Sequence, residues 1–157
     1  MMRNFTTPSL FFAFAYALVG LGVGIFVTVT AIGDYRFFFF YSTLAAFITA
    51  YVLWKLMMEK RIHNLKRFAL VTGGLSGILS HYVCWYFLYV GANVCYWSTG
   101  GCTGSLGEAP ANLVVAFVGA FALSFWSLLL VGWVTISAGM VIAMVMAPYL
   151  MKQRIEE

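Results

Sequence analysis

Four apolar runs, residues 9–32, 37–58, 68–91 and 111–150, fill most of this chain of 157 residues and constrain its fold more than any other feature. A hydrocarbon core of about 30 Å is crossed by a helix of roughly 20 apolar residues, because each residue advances about 1.5 Å. All four runs reach that length. Within lipid the backbone polar groups find no water, and a helix satisfies its own. The chain is 63% hydrophobic and only 9% charged, against roughly 25% charged in a soluble domain. The expected fold is an all-α polytopic membrane protein, a single transmembrane domain over residues 1–157 with four transmembrane helices.

The local signals punctuate these runs. The first follows Arg3 and carries small residues at Ala13, Ala15 and Ala17, as a signal-peptide cleavage site would. It exceeds the apolar core of about 7 to 15 residues that such a signal uses, so it reads as the first transmembrane helix, with Thr7 as N-cap and Pro8 at the first helical position. Gly33 and Asp34 suit a tight reversal, the glycine ending helix one and Asp34 capping helix two. Phe37, Phe38, Phe39, Phe40 and Tyr41 open the second helix as part of an interfacial aromatic belt. Between Glu108 and Lys152 lie 43 uncharged residues, about 60 Å of helix and twice the hydrocarbon thickness. The last helix is therefore unusually long and must tilt, kink, break or protrude. Gly132, Ser137 and Gly139 are the kink candidates, and a separate interfacial helix near 111–120 is the alternative.

The charges set the orientation. Lys55, Lys60, Arg61, Lys66 and Arg67 against Glu59 hold the whole net charge of +4, because the remaining charges cancel. Short loops rich in Lys and Arg stay on the cytoplasmic side. The basic connector 59–67 is accordingly expected inside, with both termini cytoplasmic and the loop 92–110, which lacks Lys and Arg, periplasmic or extracellular. A bacterial inner membrane is the expected location. Lys60, Arg61, Lys66 and Arg67 would meet anionic lipid or an acidic partner; the connector is too short and too tethered to bind nucleic acid.

Few residues suggest chemistry. Cys95 and Cys102 share the glycine-rich loop, where an oxidising compartment favours a disulfide. A redox role for the pair would need a low-pKa thiol and an electron acceptor, and the chain has no Cys-x-x-Cys. No histidine joins those cysteines, so no metal site is expected. His81 is a weak candidate for a cofactor or quinone contact, set against an imidazole bonded to a neighbouring hydroxyl or carbonyl; with His63 in the basic connector, the chain cannot supply a bis-histidine haem site, and no cofactor is expected. Tyr82, Trp85, Tyr86 and Tyr89 make the third helix rich in amphipathic aromatics. Positions 82, 86, 89 and 93 fall on one face, which would pack on a partner helix or line a ligand or lipid groove.

Small residues mark packing faces. Gly20 and Gly24 form one GxxxG pattern and Gly73 and Gly77 another, with Gly139, Ala143 and Ala147 continuing the theme. Such faces let backbones approach in lipid, where hydrophobic burial does not drive association. The two GxxxG patterns recur at an offset of 53 residues, which raises a duplicated hairpin, although helices two and four do not match. No span carries Asp, Glu, Lys or Arg away from its ends, which disfavours a charge-coupled transporter. The leading expectation is a non-catalytic accessory or structural subunit of a larger membrane complex, or a homo-oligomer, with membrane lipids as further partners and no catalytic residues. A small oligomeric transporter or channel for an apolar or lipid-like molecule is the second, and a thiol-disulfide oxidoreductase the third.

Overall fold

The computed structural model of the chain describes residues 6–31, 35–58, 64–103 and 107–155, and every regular element among them is helical. Three separate helices, α1 (Thr6–Thr30), α2 (Phe38–Met57) and α3 (Leu65–Thr99), precede α4 (Leu113–Ser127), which passes through a π-helical segment (Leu128–Gly132) into α5 (Trp133–Ile155). Pro8–Thr30, Phe38–Met57, Leu65–Thr99 and Leu113–Tyr149 are each long and apolar enough to cross a membrane. They fit a multi-pass membrane protein.

The stretches alternate in direction. At the connector end, Phe12 of α1, Trp54 of α2, Leu65 of α3 and Ala147 of α5 join one buried cluster; Phe38, Ala45 and Cys84 form a second, nearer the loop end. Half of the apolar window of α3 is buried, 50%, against 17% for Leu113–Tyr149. α3 is thus the central helix, packed on α2, α4 and α5, and the last stretch is peripheral.

Several boundaries differ from those the sequence implies. The third helix does not stop at residue 91 but runs to Thr99, so Cys95 is helical and the loop begins only at Gly100. Gly91 fails to end it because its missing Cβ is needed elsewhere: the Tyr41 ring fills that space. Gly100 ends it instead, with φ of 71° and its N–H on the Tyr96 carbonyl, a conformation that costs glycine little. The position before α2 is Phe37, without a side-chain cap; the expected Gly33–Asp34 turn and the capping role of Asp34 lie outside the described residues. Helix α1 already includes Thr6, which puts Thr7 inside it. Asn112 caps α4, its Oδ1 accepting from the N–H groups of Val114 at 3.1 Å and Val115 at 2.9 Å. No separate helix forms at 111–120, since α4 runs on.

Glycine pairs set the two closest seams. A Cβ on Gly20 would come within 2.7 Å of the Ala46 Cβ, and one on Gly24 within 2.5 Å of the Phe39 Cα, so α1 lies against the α2 backbone. A Cβ on Gly73 or on Gly77 would come within 2.7 Å of the Met140 Cα or the Ile136 Cα on α5, and Gly139 faces the Gly73 carbonyl in return. Each pair packs on the stretch that follows it in the chain. Ala143 is fully buried one turn further along.

A lateral cavity around His81

The seams leave a gap. α1 packs on α2 and α5 and has no comparable seam with α4; between them lies a cavity of about 550 Å³. That size falls within the ~300–1,000 Å³ of small-molecule sites. Phe26, Trp126 and Leu130 line it while being 58%, 64% and 72% exposed, so the cavity opens sideways, towards the surface that lipid would cover. Its walls are mainly apolar and aromatic, with Tyr35, Phe38 and Trp85 closing the side opposite α4.

One polar centre interrupts that wall. His81 is 8% exposed, and both ring nitrogens are engaged: Nδ1 lies 2.7 Å from the Ser127 Oγ and Nε2 lies 2.9 Å from the Thr135 Oγ1. The two hydroxyls are anchored in turn. Ser127 donates to the Ser124 carbonyl at 3.1 Å, and Thr135 to the Gly132 carbonyl at 3.1 Å. Tyr16 of α1 donates to the Thr135 carbonyl at 3.2 Å, which ties the third wall to the same point.

The π segment explains how one imidazole meets both hydroxyls. Residues eight apart fall about 80° apart around an α-helix of 3.6 residues per turn, so Ser127 and Thr135 would not share a face. A π turn holds about one residue more and takes back roughly 100° of rotation. The pair returns to nearly one face, aimed at α3. Single π turns inside α-helices recur at functional sites.

The aromatics singled out on α3 divide between two surroundings. Trp85 lines the cavity and meets the Phe38 ring at 5.6 Å and the Tyr35 ring at 6.3 Å between centroids. Tyr82 and Tyr86 pack on Phe117 of α4 at 5.5 and 6.2 Å, and the Tyr89 hydroxyl fills the space beside Gly119. Asn93 donates to the Ala111 carbonyl at 2.8 Å, closing the same seam. That tyrosine face is the α3–α4 contact, and only Trp85 of the four reaches the cavity.

Cys95 and Cys102 are disulfide-bonded with Cα atoms 5.9 Å apart, joining the last turn of α3 to the loop. Cys84 is a buried free thiol in the cavity wall. Lys66 and Arg67 are exposed on the first turn of α3; Lys60 and Arg61 lie outside the described residues. Among those residues no cluster of His, Cys, Asp and Glu could hold a metal. Sequence reading missed Ser127, Thr135 and Tyr16. The first two sit on different faces of any ideal helical wheel, and nothing in Leu128–Gly132 announces a π turn.

Fold and site together describe a four-span helical bundle with a side-opening cavity built around a hydrogen-bonded histidine. Compared with protein families, curated proteins and solved structures, the chain matches none.

Proposed function

We propose that the protein binds an amphiphilic, lipid-like molecule that enters sideways from the bilayer, its apolar part against the aromatic walls and its polar part at the His81 centre. The observation that carries this reading is the cavity itself, apolar and open between α1 and α4, with one polar cluster among its walls. Ligand sites commonly combine mostly apolar walls with a few placed polar groups. Carriage of such a molecule within or across a bacterial inner membrane follows naturally, with the connector 59–67 on the cytoplasmic side, the disulfide loop outside and both termini inside, as the distribution of Lys and Arg favours.

The accessory-subunit reading keeps the glycine-rich outer loop as a contact surface but loses the other one. The small-residue faces are not free for a partner, since Gly20, Gly24, Gly73, Gly77, Gly139 and Ala143 are all buried within this chain. The large exposed apolar side chains of α1 and α4 are what lipid contact requires and do not select a protein partner.

The test is to fill the cavity. Val27→Trp and Leu123→Trp each place a large ring in it from opposite walls. Native protein purified from membranes should retain one class of amphiphile by mass spectrometry, and both filled variants should lose it. Identical lipid profiles for all three proteins would overturn the reading.

A further inference from the structure

The proton count at His81 bears on the head group a ligand would carry. Each of the two hydroxyls that meet the ring has one proton, and a backbone carbonyl 3.1 Å from each can take it. Both hydroxyl oxygens then face the ring as acceptors, which matches an imidazole with two N–H groups. A neutral ring has only one N–H, so one hydroxyl must turn its proton from its carbonyl to the bare nitrogen. That rotation strands nothing essential. The Ser124 carbonyl, for example, already accepts the Leu128 backbone N–H, and bonds of this kind from a hydroxyl to the preceding turn are weak local extras. The centre therefore satisfies all its partners with or without an added proton, at the expense of one hydroxyl rotation.

The surroundings favour one sign of charge on the ligand. The other titratable groups lining the cavity are Tyr16 on α1, Tyr35 before α2 and Cys84 on α3; α2, α4, the π segment and α5 contribute only neutral groups, including Ser42, Ser127 and Thr135. No carboxylate among these lining residues could balance a cationic head. His81 can become positive and balance an anionic one. The hydroxyls of Tyr16, Ser42, Ser80, Ser127 and Thr135 also line the cavity, each with a proton resting on a backbone carbonyl. Such protons can be redirected to a carboxylate, which accepts about four hydrogen bonds.

We propose that the cavity takes a long-chain carboxylic acid and binds it as a carboxylate paired with protonated His81. The proposal rests on the reading of the cavity as a lipid-facing site. The acid enters from the bilayer neutral; its O–H bond breaks, the proton forms an N–H bond with the bare ring nitrogen, and the hydroxyl that served that nitrogen turns back to its carbonyl. The pair is neutral overall, so no net charge is buried. An unpaired carboxylate would be costly to hold at that depth.

The experiment uses the full chain in lipid nanodiscs near neutral pH, with hexadecanoic acid and hexadecanol as probes. Binding is the excess over the two cavity-filled variants. Hexadecanoic acid should bind at least tenfold more tightly than hexadecanol, and His81→Gln, which keeps hydrogen bonding without the proton, should erase that preference while still binding the alcohol. The chain has two histidines, so His63→Asn leaves one, and 15N-histidine spectra should show the ring passing to the doubly protonated form with the acid but not with the alcohol. Equal binding of both probes, or a ring that stays neutral with acid bound, overturns the carboxylate pairing and leaves the lipid-facing site standing. Binding of neither probe above the filled variants overturns this proposal, and if the filled variants also keep the native lipid profile, the site reading falls with it.

Discussion

Replacing Gly73 by alanine puts a methyl group where α3 and α5 leave no room. The new Cβ would stand 2.7 Å from the Met140 Cα and 2.5 Å from the Gly139 carbonyl carbon, and the neighbours in its way are backbone atoms. Backbone cannot swing aside as a side-chain tip can. Reaching the 3.4 Å of ordinary contact from Met140 alone requires the helices to part by about 0.7 Å, a gap at which packed atoms lose a quarter to a half of their dispersion attraction. Overpacking of this kind costs roughly 1–3 kcal/mol, and a clash with backbone belongs at the upper end. Alanine regains about 1 kcal/mol of helix propensity over glycine, leaving a net loss of about 2 kcal/mol. Gly22 is the control, since a Cβ there meets nothing within 4 Å; Gly22→Ala should be neutral or stabilising by up to about 1 kcal/mol. Reversible unfolding in mixed micelles of increasing denaturing-detergent fraction, followed by circular dichroism, measures both. A Gly73→Ala protein as stable as Gly22→Ala would refute the close α3–α5 approach. Parting those helices also moves Thr135 from His81, so ligand retention should fall with stability.

Other consequences of the structure can be measured independently. In a double-mutant cycle of His81→Phe with Thr135→Val, unfolding should give a coupling of about 0.6 kcal/mol, the average for hydrogen bonds between membrane helices, and no more than about 1.7 kcal/mol; a coupling near zero would remove the Nε2 bond. Deleting Leu129 should remove the extra residue of the π turn and leave Ser127 and Thr135 seven apart on an α-helix, still within about 20° of one face. The protein should then fold and keep its ligand, and lost retention would show that the shared face of these two residues is not what makes the site. A membrane-impermeant maleimide should label no cysteine before reduction and two after it, because Cys84 is buried and the other two are joined. Labelling of two cysteines without reductant would contradict the bond.

The bundle was legible in the sequence where single residues carry a strong local signal. Run length gave the number of spans, and the glycines at 20, 24, 73 and 77 lie in close seams because a missing Cβ has one common use in lipid. Helix ends were harder to read. Gly91 and Gly100 look alike in sequence, and only the Tyr41 ring beside Gly91 decides which of them stops α3. The loop read as 92–110 therefore lost eight residues to the helix. His81 stood out because titratable groups are rare in the spans, but its partners did not. Ser127 and Thr135 resemble every other hydroxyl in the chain, and a register change of one residue, created by packing and not by a local signal, brings them together. Tyr82, Tyr86 and Tyr89 mislead for the opposite reason: their periodicity marks a face without saying that α4 occupies it.

The central claim is that a lipid chain reaches the interior of the bundle beside His81, and tryptophan quenching tests it most directly. Trp85 lines the cavity, whereas Trp54 is fully buried at the connector end. Variants keeping only one of the five tryptophans, each reconstituted with lipids brominated along the acyl chain, report contact with the chain at that residue. Trp85 emission should be strongly quenched and should recover when Val27→Phe with Leu123→Phe fills the cavity without adding a tryptophan, while Trp54 emission stays unquenched throughout. If Trp85 is as protected as Trp54 in the unfilled protein, the cavity is closed to lipid and the account is wrong.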